Sequence, residues 1–327
     1  MAGDAARDPG AGAEGDPEPV KPRSSGTRPR QSRQVQRSGI RLQPFRWNVA
    51  KREQLGRLVD NNEPETDQKF LADLRAVSAK IIARAGDSNL VFVGRSPEHM
   101  FDYLSGVFCD IPSPPPMTLL QFSAPRHAFD TLVRWHAKDL EALFDYFSAE
   151  QLDPASIARG GTQVRFIDLV FAGNTFAALF SLMKHWCLSK GEEWNVVRKR
   201  IGFIGITSRT KNSPNTWRWH QKAGWVAEIE RANIKNISIP AGLWRWAGDY
   251  AEKATPSFRI ERWAAVEARS PSRSEQHLKG LRLAARLFEH GRRRKERALF
   301  ASELAAQPEM KEAWLRTLVL RLRSVQR

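Results

Sequence analysis

The chain has 327 residues, of which 41% are hydrophobic and 27% charged, enough apolar material for a sizeable buried core. Its 52 Lys+Arg against 36 Asp+Glu give a net charge of +16, which favours polyanionic or phosphorylated ligands without specifying a fold. The two cysteines, Cys109 and Cys187, exclude a disulfide scaffold, stand at no metal-ligand spacing and fit a reducing compartment.

No apolar run approaches the ~18 residues that a membrane span needs; the richest, Phe176 to Met183, is far shorter. The N-terminus has no apolar core and carries Asp4, Asp8, Glu14 and Asp16, so it reads as neither a secretory signal nor a transit peptide. The expectation is a cytoplasmic protein. Residues 1–47 lack hydrophobic periodicity, and Val20 to Arg46 hold eight basic residues and no acid. Such a segment cannot bury enough apolar surface to offset its ordering entropy, which predicts a disordered basic tail, either simply solvated or a nucleic-acid-binding arm.

From 48 to 266, helical and strand-like patterns alternate. Asp67 to Ala85 places Phe70, Leu71, Leu74, Val77, Ile81 and Ile82 on one stripe and stops at Gly86, which predicts a helix. Leu90–Val93 is a strand ended by Gly-Arg-Ser-Pro, and Glu98–Val107 a helix with Pro97 at its start. Met117–Phe122 is a second strand, Phe129–Phe147 a second long helix, and Gln163–Asp168 a third strand. Thr175–Leu188 (helix), Arg200–Thr207 (strand) and Asn236–Ile239 (strand) follow. This alternation predicts an α/β domain, a parallel β-sheet flanked by helices with its strand-to-helix loops gathered on one edge. Residues 267–327 begin with a linker, Arg269–Gln276, and continue as a basic helical C-terminal extension. Within 270–327 there are 14 Lys+Arg against 6 Asp+Glu. Its helices are His277–His290 and Met310–Leu322, and its densest basic cluster is Arg292, Arg293, Arg294, Lys295 and Arg297.

The stretch that carries chemistry is Val164–Thr175. An apolar strand delivers Asp168, and small residues Ala172, Gly173 and Asn174 lead into a helix at Thr175. Amides at a helix N-terminus, helped by the Asn174 and Thr175 side chains, form a phosphate cradle. A carboxylate nearby suits sugar hydroxyls or a metal that holds them.

This pattern resembles the phosphoribosyl-diphosphate (PRPP) motif of type I phosphoribosyltransferases, in which a strand with two acids runs into a Thr-Gly-x-Thr loop. Ala172, Gly173, Asn174 and Thr175 align with the loop and Asp168 with the second acid; Ile167 stands in place of the first. Gly94, Arg95 and Ser96 resemble the pyrophosphate loop, although Gly-Arg-Ser-Pro is also ordinary helix-capping chemistry. Ile237–Tyr250 is similar in layout to the base-recognition segment, with Trp244 or Trp246 to stack on a base and Asp249 near a metal. Ser123–His127 stands where the mobile loop over the reaction would lie, or is a plain surface loop. The resemblance implies a Rossmann-like, phosphoribosyltransferase-like fold from about Phe70 to Trp263. It also implies Mg²⁺ and a phosphorylated ribose ligand, PRPP or a nucleotide. The reaction would be displacement of pyrophosphate by a nitrogen nucleophile, with Asp168 on the ribose side and Arg95 on the leaving group. Loss of the first acid leaves open a non-catalytic nucleotide- or RNA-binding protein on the same fold. Trp217-Arg-Trp219-His220 and Trp244-Arg-Trp246, alternating aromatic and basic residues, suit an RNA binder, although tryptophans at such spacings are more often core or rim packing. The apolar face of Met310–Leu322 is expected to pack on the protein's own core; a third reading makes it a partner-binding helix.

Overall fold

The computed structural model describes residues 45–60, 67–123, 137–211, 219–221, 223–258, 262–265 and 269–325. The bulk of the expected tail, the expected mobile loop from 124 on, and Trp217 lie outside them.

After a one-turn helix, α1 (Arg52–Leu55), the chain runs α2 (Gln68–Ala85), β1 (Ser88–Val93), α3 (Glu98–Phe108) and β2 (Met117–Leu120). It continues with α4 (Ala137–Ala149), α5 (Pro154–Arg159), β3 (Gln163–Leu169), α6 (Asn174–Ser189), α7 (Trp194–Arg200) and β4 (Ile201–Ser208). Then come β5 (Ile234–Ile239), α8 (Ala241–Arg245), α9 (Glu275–Arg292), α10 (Arg294–Ala305) and α11 (Ala313–Ser324). The predicted α2 starts where its cap says it should, with the Asp67 side chain accepting from the Lys69 amide.

All five strands pair in parallel, in the order β2-β1-β3-β4-β5. Strand alternation sends side chains to two apolar layers. Phe92, Leu119, Ile167, Ile204 and Ile206 face α2, α3 and the C-terminal helices. Val91, Val93, Leu120, Phe166 and Phe203 face α4 to α7. The chain order reverses at β1, between a step out to β2 and a return to β3. In open α/β sheets a ligand crevice forms at such a reversal, beyond the carboxyl ends of the strands.

Two expectations change on packing grounds. Phe45 to Trp47, read from sequence as the end of the tail, are part of the folded core. Phe45 lies 4.5 Å from the Phe258 ring and 5.1 Å from that of Tyr146, while Arg46 forms a buried two-pronged pair with Asp102 at 2.8 and 3.0 Å. The last 60 residues, read as an extension, also complete the core: Leu287, Phe300, Leu304, Leu315, Leu318 and Leu322 are buried against α2 and α3. All described residues belong to one unit, Arg37–Arg327. The apolar face of α11 is therefore spent on the protein itself. The Arg292–Arg297 cluster is partly structural as well, because Arg292 and Arg297 both pair with Asp110, at 3.3 and 3.0 Å. Among the described residues no helix is long and apolar enough to cross a membrane.

Candidate functional site

A cavity of about 300 Å³ opens over the carboxyl ends of β1, β2 and β3, at the reversal of strand order. Its wall collects Gly94, Arg95 and Ser96 after β1, Gln121 to Ser123 after β2, Asp168 and Thr175 around the β3–α6 turn, and Asp249, Lys253, Ser257 and Phe258 from the segment after β5. Gln276, in the first turn of α9, closes it. Ser96 precedes α3 and Thr175 is the second residue of α6, so the amino ends of three long helices converge here. Helix N-termini carry unpaired N–H groups and partial positive charge, which favour an anion.

Each loop owes its course to local chemistry. Gly94 has φ of +73°, its amide donates to the Leu120 carbonyl at 2.8 Å, and a Cβ there would lie 3.0 Å from the Phe122 carbonyl oxygen. Gly94→Ala is expected to cost about 1–2 kcal/mol by denaturant unfolding, the typical penalty for a side chain in left-handed backbone. Gly173 turns the chain into α6 at φ +85°. It rests on the Trp219 indole, which is buried and donates to Asn236 Oδ1 at 3.1 Å. Trp219, a base-stacking candidate from sequence, is thus a support beneath the turn.

Asp168 is buried on the cavity wall, hydrogen-bonded to the Leu169 main chain and the Thr175 hydroxyl. Burial pushes its carboxyl well above the usual carboxylate range, against those hydrogen bonds and the charge of Lys253. Lys253 Nζ donates to the Ala247 carbonyl at 2.5 Å, and burial lowers its pKa to about 8 against the opposite pull of Glu98. Beneath the wall, Glu98 is wholly buried and accepts from the Ala254 amide and the Thr255 hydroxyl, both at 2.9 Å. That carboxylate ties the 253–255 wall to the start of α3, just after the Gly94–Ser96 loop.

The cavity therefore joins Gly94, Arg95, Ser96, Asp168, Thr175 and Asp249 from the sequence reading. It does not take in the rest. Ala172 and Asn174 are exposed on the outer side of the turn, and Gly173 is covered by Trp219. Trp244 donates its indole N–H to the Ile206 carbonyl at 3.1 Å and packs on the core. Trp246 packs on Phe70 and His99 at 4.2 and 4.9 Å between ring centroids. Neither tryptophan lines the cavity, because both pack against the core on the α2 and α3 side of the sheet. Ile167 is wholly buried between Phe92 and Ile204, one residue below the level at which a side chain reaches the cavity.

Gln121, Lys253 and Gln276 carry no motif and were not singled out from sequence. The rule that strand ends line the crevice would have pointed to Gln121, just past the end of β2; the other two had no local signal. The Gln121 amide is buried, and among the described residues neither its oxygen nor its nitrogen has a hydrogen-bond partner. A buried unpaired amide is costly, so it marks a place where a ligand polar group fits. For a divalent cation, Asp168 and Asp249 are the carboxylates on the wall, and among the described residues no group of three or more His, Cys, Asp or Glu gathers. That donor set fits Mg²⁺, which commonly takes one or two carboxylates and completes its shell with substrate oxygens and water. Comparison with known protein families, curated proteins and solved structures finds no match to this chain.

Proposed function

We propose that the protein binds a phosphorylated ribose, PRPP or a nucleotide, in the cavity at the β1–β3 reversal. On this reading the fold is phosphoribosyltransferase-like, and its setting is the cytoplasm. The observation that carries the reading is the convergence of Arg95 and three helix N-termini on one small chamber that also holds Asp168 and Asp249. The Arg95 guanidinium and the N-termini suit phosphate oxygens; Asp168 and Gln121 suit sugar hydroxyls. A chamber of about 300 Å³ lies at the low end for ligand sites, which favours a sugar phosphate over an extended polymer.

For transfer of the phosphoribosyl group to a nitrogen nucleophile, the work of the site is positioning and electrostatics. Arg95 and the Gly94–Ser96 amides would neutralise pyrophosphate as it leaves. Thr175 would hold the 5′-phosphate side, and Asp168 the ribose hydroxyls and the positive charge that develops on the ring. Mg²⁺, held by Asp249 and Asp168, would supply further charge neutralisation.

Asp168→Asn tests this reading by calorimetry with ribose 5-phosphate and with PRPP–Mg²⁺. The expected loss is about 1.5–3 kcal/mol, roughly 10- to 150-fold in Kd, as for other hydrogen bonds to charged groups. Unchanged affinity in the variant, or no binding by the parent chain, overturns it. One observation favours binding without catalysis: Ile167, in the position of the first motif acid, is sealed in the core, so a single acid serves the ribose. RNA as the ligand would require a steep loss of retention with salt.

A further inference from the structure

We propose that Lys253 is a nucleophile: its ε-amine condenses with the aldehyde of an open-chain aldose phosphate held in the cavity, forming a Schiff base. The inference rests on the sugar-phosphate reading above and adds a covalent step to it.

Three observations support it. Lys253 as a residue is only 9% exposed, yet it lines a cavity whose other walls suit a phosphorylated sugar. Among the described residues its one hydrogen bond goes to the Ala247 carbonyl, a neutral acceptor that either an ammonium or a neutral amine can use. Two nearby carboxylates are committed elsewhere: Glu98 accepts from Ala254 and Thr255, and Asp102 takes both prongs of Arg46, while Asp168 and Asp249 share the cavity wall with Lys253. Among the described residues Lys253 forms no salt bridge, and a buried lysine without one loses its proton more readily. The groups around it pull both ways, Arg95 downward and Glu98, Asp102 and Asp249 upward, and burial outweighs them. A neutral amine in a shielded pocket is the form that attacks carbonyl carbon.

The step balances without any further reactant. The nitrogen lone pair adds to the aldehyde carbon to give a carbinolamine. Loss of the carbonyl oxygen with both hydrogens of the amine, as one water, leaves the C=N bond. PRPP has no free aldehyde and cannot react in this way, whereas ribose 5-phosphate can.

The test treats the full chain with ribose 5-phosphate and cyanoborohydride, which reduces a Schiff base to a stable secondary amine, and maps the added mass by peptide mass spectrometry. The adduct is expected on the peptide holding Lys253. It should be lost in Lys253→Met and Lys253→Arg, and be absent with ribitol 5-phosphate, which has no aldehyde. Because the parent chain reports the site directly, the test stands even if a variant misfolds. Ribose 5-phosphate that binds by calorimetry without an adduct at Lys253 overturns this inference and spares the binding reading. Neither binding nor adduct overturns both. Labelling spread over surface lysines, and equal in Lys253→Arg, also overturns it.

Discussion

Replacing Glu296 with alanine is expected to cost about 3–5 kcal/mol, the usual penalty for removing one partner of a buried ion pair. Glu296 lies on α10 but its carboxylate reaches across to α2 and α3. Arg75 donates to it through Nε and Nη2 at 2.7 and 2.9 Å, the Tyr103 hydroxyl donates at 2.7 Å, and His290 Nε2 stands 3.1 Å away. Alanine would strand the Arg75 guanidinium and a buried phenol. The effect also has a pH signature. Burial opposes ionisation of Glu296, but the contact with His290 and the hydrogen bonds from Arg75 and Tyr103 prevail and bring its pKa down to about 2 from an ordinary 4.5. The folded value lies below the unfolded one, so the stabilisation is fully present above pH 4.5 and disappears as the pH falls through about 2. Its size is about 3 kcal/mol by linkage. Denaturant midpoints between pH 5 and 2 should therefore fall more shallowly for Glu296→Gln than for the parent chain. Parallel slopes would mean that the carboxylate does not carry this acid sensitivity.

Gly106→Ala is expected to destabilise the fold by about 3 kcal/mol or more, the upper end for overpacking a core. A Cβ at Gly106 of α3 would overlap the main-chain carbonyl of Phe288 on α9. Across the same interface Gly291 meets the Tyr103 carbonyl, and farther along α9 Gly280 meets the main chain at Lys253 and Ala254. These are backbone-to-backbone approaches, so no rotamer change relieves them; the two helices must separate. Separation would also shift Gln276 and the 253–255 wall, which ride on α9. The same variant should therefore lose ribose-phosphate affinity at temperatures where it is still folded. Thermal unfolding with and without ligand measures both effects, and an unchanged midpoint would contradict the packing.

Much of the sheet was legible in the sequence. Leu90–Val93, Gln163–Asp168 and Arg200–Thr207 are short, apolar, β-branched or aromatic runs closed by breakers, and each is a buried strand within one or two residues. The segments that escaped had little periodicity: α5 and α7 are six and seven residues long, and α10 mixes charge with its core face. Half of the cavity was legible for the same reason. Gly94–Ser96, Asp168 and Thr175 stand at strand ends, where local pattern and the chirality of crossovers place residues together.

What the sequence by itself determined is therefore the parallel alternation and the edge at which its loops gather, since hydrophobic period and turn chemistry act over a few residues. Only the tertiary structure decided that Trp219, Trp244 and Trp246 are packing rather than stacking groups, and that the basic C-terminal helices are core and cavity wall. It alone brought Lys253 and Gln276 beside Asp168. An indole is at home inside or outside a protein, and a guanidinium is tolerated inside only where it is paired. Which they do depends on whether a distant segment supplies a glycine cleft, as Gly173 and Gly205 do for Trp219, or a carboxylate, as Asp110 does for Arg297.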